Sequence, residues 1–161
     1  KDPPVYIAVL LALGAGLRRS EIQNLCWRRV DKDRSRVLVL STGGWVPKTG
    51  ESEQPVHVDA TLMEELEPFR GGPDDYVIMP AALDRAVVWL RANGVSAHKP
   101  LHTLRKEFGS IVNEDSDIFT ASRALRHSSV SVTAGVYVEN RKHVAPNIGV
   151  LLNPGQKGRR Q

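Results

Sequence analysis

The chain has 161 residues, 41% of them hydrophobic and 25% charged, with a formal net charge of +4 at pH 7. That is enough for one domain with an ordinary core, and the basic balance favours a polyanionic partner without establishing one. A lone cysteine excludes a disulfide framework; Cys26 lies in the apolar row Ile22, Leu25, Cys26 and reads as a small buried hydrophobe in a reducing compartment.

Pro3-Pro4 gives a rigid entry to a helix over 5–13, ended by Gly14 and Gly16. This apolar run is too short to span a bilayer and continues into a polar helix, so it reads as a core helix and not as a signal peptide or anchor. Ser20 with Gln23 three residues on reads as a capping box opening a second helix through Trp27. Alternating and β-branched runs over 30–40 and 46–58, broken at Thr42-Gly43-Gly44 and Lys48-Thr49-Gly50-Glu51, suit a small antiparallel sheet. Leu62, Met63, Leu66 and Phe69 recur at helical spacing over 59–69. Another helix is expected over 81–93, with Leu83, Ala86, Val87 and Leu90 inward and Gly94 as its stop. Helices over 101–112, 119–127 and 131–138 complete a mainly α fold with one small antiparallel β-sheet. The whole reads as an α+β domain over 1–146 and a tail over 147–161.

The chemistry is concentrated in a few strings. Gly16-Leu17-Arg18-Arg19-Ser20-Glu21 places a guanidinium before a helix, and Pro47-Lys48-Thr49-Gly50 places a lysine on a turn. His102-Thr103-Leu104-Arg105 follows, then Leu125-Arg126-His127-Ser128-Ser129, and Tyr137 ten positions after His127. Breaking a phosphodiester without a metal requires a nucleophile, a proton donor for the leaving oxygen and fixed positive charge on the non-bridging oxygens. Arg18 and Arg105 suit the last role, because a guanidinium is planar and presents parallel donors matched to phosphate oxygens. No His/Cys/Asp cluster shows metal-ligand spacing. Glu21, one turn from Arg18, either orients that guanidinium or stabilises the helix N-terminus.

Read in order as Arg, Lys, His-x-x-Arg, His and Tyr, these landmarks resemble the catalytic domain of tyrosine recombinases, the phage-integrase family, over about 5–137. The resemblance implies a catalytic set of Arg18, Lys48, His102, Arg105, His127 and Tyr137. Tyr137 would attack a scissile phosphate to form a 3′-phosphotyrosyl link. His102 would accept the phenol proton, His127 would donate to the phosphate, and Lys48 on its hairpin would protonate the departing 5′ oxygen. Neither ATP nor metal nor another cofactor is implied. The expected partner is double-stranded DNA, bound by a homo-oligomer, a tetramer on paired sites, in the cytoplasm of a bacterial, phage or mobile-element host and away from membranes. Type IB topoisomerases use a similar residue set, and a catalytically silent DNA-binding relative is the other alternative.

Three departures stand out. Relatives commonly carry Gly where Arg126 precedes His127, so a bulky cation lies beside an imidazole. The segment 112–120, with Glu114, Asp115 and Asp117, looks short and acidic for the family's usual connection. The start at Lys1-Asp2-Pro3-Pro4 runs almost directly into a buried helix, so the chain reads as an excised catalytic domain lacking the family's DNA-clamping domain. In the tail, Ile148, Val150, Leu151 and Leu152 form a short apolar cluster expected to dock in trans on a neighbouring protomer or to fold back in cis.

Overall fold

Helix α1 (Pro3–Gly14) buries Val5, Ile7, Ala8, Leu11 and Ala12. A helix apolar around most of its circumference needs cover on more than one side. In the computed structural model, which describes residues 2–41, 44–47, 53–127, 129 and 131–133, α1 packs against both α4 (Ala82–Ala92) and α5 (Pro100–Asp115). Pro3 and Pro4 belong to the first turn of α1 rather than preceding it, since the N–H groups they lack would have had no helical partner there. Gly16 adopts the left-handed conformation at φ 59°. The N–H of Leu17 then returns to the carbonyl of Leu11 at 3.1 Å, occupying an otherwise orphaned acceptor at the helix end.

Helix α2 is shorter than the sequence suggests, Arg19–Gln23, with Arg18 rather than Ser20 at its N-cap position. Glu21, not Gln23, reaches back to the start of the helix, its carboxylate accepting the Arg18 N–H at 2.7 Å. Trp27 falls outside α2, in a 3-10 turn over Trp27–Arg29 that leads into the sheet. Three short strands, β1 (Val30–Asp31), β2 (Arg36–Leu38) and β3 (Pro55–His57), pair antiparallel in the order β1-β2-β3. Val37 opposes Val30 on one side and Val56 on the other, and this valine row is the sheet's buried face. The Lys48 turn lies outside the described residues.

Helix α3 (Ala60–Leu66) starts on Asp59, whose carboxylate accepts the Thr61 N–H at 2.8 Å. It gives way to a 3-10 turn over Glu67–Phe69, where Pro68 cannot continue an α-helical ladder. Leu83, Ala86 and Leu90 of α4 are buried and Val87 packs against the core, and Gly94 at φ 91° ends the helix. Helix α5 runs to Asp115, further than expected, and α6 (Ile118–Ala124) stops short of His127. The connection between them is therefore two residues, and Asp117 accepts the Thr120 N–H at 2.7 Å as the cap of α6. The acidic segment serves as helix end and cap. Of the last expected helix, Ser131 to Thr133 are helical and the remainder lies outside the described residues. Cys26 is half-buried, not fully enclosed.

Gly16 is the residue on which this packing turns. A Cβ there would sit 2.5 Å from the Phe108 ring of α5, at a φ that disfavours L side chains. Gly16→Ala is expected to destabilise the domain by about 2 kcal/mol or more, from left-handed strain together with overpacking. Urea unfolding of the variant checks it, and a midpoint equal to that of the parent would contradict the packing described.

Candidate active site

Arg18 stands where α1 has ended and α2 has not begun, an extended residue at φ −74°, ψ 153°. Its Nη1 donates to Glu21 Oε1 at 2.7 Å while its own backbone N–H donates to Glu21 Oε2 at 2.7 Å. Glu21 thus performs both roles left open by the sequence, capping the helix and orienting the guanidinium. The second oxygen also takes Arg126 Nη2 at 2.6 Å. The Arg126 and Glu21 side chains are almost fully enclosed, while Arg18 keeps 21% of its side chain exposed.

His102 and Arg105 are three residues apart near the start of α5 and so share a face. Arg105 is only 2% exposed. Its Nη1 donates to the Gly16 carbonyl and its Nη2 to the Leu125 carbonyl. One guanidinium therefore joins the turn before Arg18 to the segment before His127. Arg18 Nη2 reaches the Arg126 carbonyl at 3.4 Å, closing a second link between the same two segments. His127 leaves α6 half-buried, its Nδ1 2.8 Å from the hydroxyl of the fully buried Thr133.

The electrostatics follow from burial and from this crowding of cations. Burial pushes the His127 imidazole down first, and the charges of Arg105, Arg18, His102 and Arg126 push it further, to about 4. His102 is held below the usual imidazole range by partial burial and then by Arg105, Lys106, Lys99 and Arg18. Arg105 is the largest charged influence on both rings. Burial by itself would raise the Glu21 carboxyl, but Arg126, the Arg18 N–H and the Arg18 guanidinium outweigh it and hold Glu21 below its ordinary value. At neutral pH both rings are uncharged, and the pocket's positive charge comes from guanidinium groups.

Arg18, His102, Arg105 and His127 are thereby gathered around the joint between residues 16–18 and 125–127. A cleft of about 650 Å³ opens beside Arg18 and His102, with Arg19, Arg91 and Lys99 along its walls. Lys48 and Tyr137, and with them the apolar cluster of the tail, lie outside the described residues. Arg19 pairs with Asp84 at 2.8 Å, Arg28 with Asp74, and Arg29 donates to the carbonyls of Leu40 and Ser41. A second concavity of about 520 Å³ beside β1 and β2 is lined in part by Asp31, Arg34 and Arg36, where both arginines pair with Asp31. Thr133 and the inward turn of Arg126 went unnoticed in the sequence. The spacing of Thr133 from His127 was the available signal for the first, and none existed for the second. Among the described residues no group of three or more His, Cys, Asp or Glu side chains is placed to hold a metal ion, and no helix is long and apolar enough to cross a membrane.

A model of the phage integrase family matches residues 4–143. No curated protein sequence gives a significant match. Among solved structures, the XerA recombinase aligns with a TM-score of 0.67 at 20% identity, covering 99% of this chain and 60% of that one. The integrase of transposon Tn1549, in complex with transposon right end DNA, aligns with a TM-score of 0.64 at 16% identity, over 94% of this chain and 58% of the other. The same integrase with circular intermediate DNA gives 0.59 at 18% identity, over 92% and 58%. The chain thus spans about 60% of the length of these structures, and at such identities the likeness concerns the fold.

The depressed His127 has a measurable signature. Its folded value of about 4 lies below the unfolded 6.5, so the unfolded chain binds the proton more readily and stability is lost as pH falls from 6.5 towards 4. Glu21, also depressed, acts in the same direction at lower pH. Two-dimensional NMR of the imidazole is expected to give a midpoint near 4 in the free protein, moving up when sulfate brings negative charge beside the ring. A midpoint in the ordinary imidazole range, unmoved by sulfate, would contradict the arrangement.

Proposed function

Since the chain belongs to the phage integrase family, we propose that it is the catalytic part of a site-specific DNA recombinase that cuts and rejoins duplex DNA through a 3′-phosphotyrosyl intermediate. The observation that carries this reading is the joint held by Arg105, which gathers two guanidinium groups and two imidazoles, with Arg18 and His102 of this set lining a cleft. Fixed positive charge with uncharged proton carriers suits a phosphoryl transfer, in which charge on the non-bridging oxygens must be met without reorganisation.

In the proposed reaction Arg18 and Arg105 act on the non-bridging oxygens of the scissile phosphate. If the Thr133 hydroxyl donates to Nδ1, the neutral His127 ring carries its proton on Nε2 and donates from there. The Tyr137 oxygen attacks phosphorus and its proton passes to His102, which is uncharged and able to receive it. The P–O5′ bond breaks as the P–O bond to tyrosine forms, and Lys48 supplies the proton to the departing 5′ oxygen. A 5′ hydroxyl from a partner duplex reverses the sequence. The bond energy stays in the covalent link, so the proposal involves neither ATP nor a metal. Residues 1–146 form the catalytic unit of this reading, and 147–161 a segment that docks between protomers of a tetramer on paired sites.

Tyr137→Phe is expected to abolish covalent attachment to a nicked suicide duplex while leaving DNA affinity nearly unchanged, because it removes the attacking oxygen and no cation. Protein-linked DNA formed by the Phe variant would sink the assignment. Arg18→Lys and Arg105→Lys are each expected to slow single-turnover cleavage by about 100-fold or more, since a lysine keeps the charge but loses the fork. The two should differ in stability. Arg105→Lys, stripped of one of two buried carbonyl contacts, should lower the melting temperature more than Arg18→Lys, and equal melting with full activity would count against both roles.

A further inference from the structure

Arg126 combines three features that each favour a smaller residue. Its backbone is left-handed, at φ 52°, where any side chain is strained. Its side chain is 2% exposed. Among the described residues its Nε and Nη1 are buried without hydrogen-bond partners, which a guanidinium ordinarily avoids. Nη2 is engaged by Glu21 at 2.6 Å.

That one contact changes the charge balance at Arg18. Glu21 offers a single negative charge, and with Arg18 as its sole partner the pair would be neutral, leaving the guanidinium little attraction for an anion in a poorly screened site. Arg126 takes a share of the carboxylate, and the trio keeps a net positive charge. Of its members only Arg18 reaches the surface, at 21% exposure against 2% and 1% for Arg126 and Glu21. The Arg126 carbonyl also accepts from Arg18 Nη2 at 3.4 Å, so the same residue fixes the direction of the guanidinium.

We infer that Arg126 is a positioning residue, a buried counter-ion to Glu21 that keeps the trio net positive at Arg18, where it meets the scissile phosphate, and holds the Arg18 guanidinium in place. This rests on the recombinase reading for the identity of the phosphate, though not for the charge balance itself. Cation contact with DNA is thereby assigned to Arg18 and not to Arg126, which lies beneath it.

Two readouts on the full chain test the inference: single-turnover cleavage of a suicide duplex, and sulfate affinity of the free protein followed by NMR. Arg126→Met is expected to lower both by about tenfold or more, and the second substitution Glu21→Gln, which removes the charge that Arg126 had shared, should recover most of the loss in the double variant, the non-additivity expected of coupled groups. Arg126→Lys should retain more of each than Arg126→Met. Arg126→Gly, which relieves the backbone while deleting the cation, replaces Arg126→Met if the latter does not fold. Recovery by Glu21→Gln is what a mere core-filling role would not produce. Unchanged sulfate affinity in the charge-deleting variant, or a loss that Glu21→Gln fails to reverse, overturns the inference. A parent chain that forms no covalent adduct, yet shows the sulfate pattern, overturns the recombinase reading and leaves the inference standing.

Discussion

A carboxylate buried among guanidinium groups, Glu21, constrains two distant parts of the chain at once. Stripped of a partner, a charge in that position is strongly disfavoured, and breaking such a pair typically costs about 3–5 kcal/mol. Its partners come from the residue three positions before it and from a residue 105 positions after it. The turn between α1 and α2 and the end of α6 must therefore meet. Arg105, rising from α5 between them, binds a carbonyl on each side. Helix α5 can stand there because α1 is apolar on the faces that α4 and α5 cover. The packing of the core and the assembly of the candidate site are one problem with one solution.

The division of labour inside the pocket follows from the same crowding. Imidazoles that are partly buried, and set among arginines besides, lose their protons, so the resting pocket is charged by groups that do not titrate near neutrality. Negative charge placed beside His127 would favour the protonated ring and move its midpoint up from about 4.

Much of this was legible in the sequence, and the gaps have physical reasons. Helical periodicity located α3 and α4, because their buried rows are regular, and the order of Arg, His-x-x-Arg and His named the residues that meet at the joint. The boundaries were less legible. Pro3 and Pro4 look like a barrier but suit a first turn, and Ser20 looks like a cap while Arg18 occupies the position, because Glu21 supplies the hydrogen bond from three residues on. Glu114 and Asp115 looked like loop because acidic residues at a helix end oppose the helix dipole; α5 extends through them regardless, and Asp117 begins the next helix. Arg126 was the hardest. A cation in a basic protein is ordinarily read as solvated, and its inward course depends on a left-handed backbone and on a carboxylate more than a hundred residues away.

Two of the groups that hold Arg105 are main-chain oxygens, those of Gly16 and Leu125. Side chains drift over evolutionary time, but a carbonyl is present whatever residue carries it. Selection at these two points acts on the path of the chain and not on the group that makes the bond. Position 125 is thus open to any apolar residue that fills the same space, whereas position 16 is closed by its conformation and by the Phe108 ring. Homologues with little sequence in common can keep an arginine cradle of this kind intact, and a comparison of side chains alone would not reveal what the arginine is bound to.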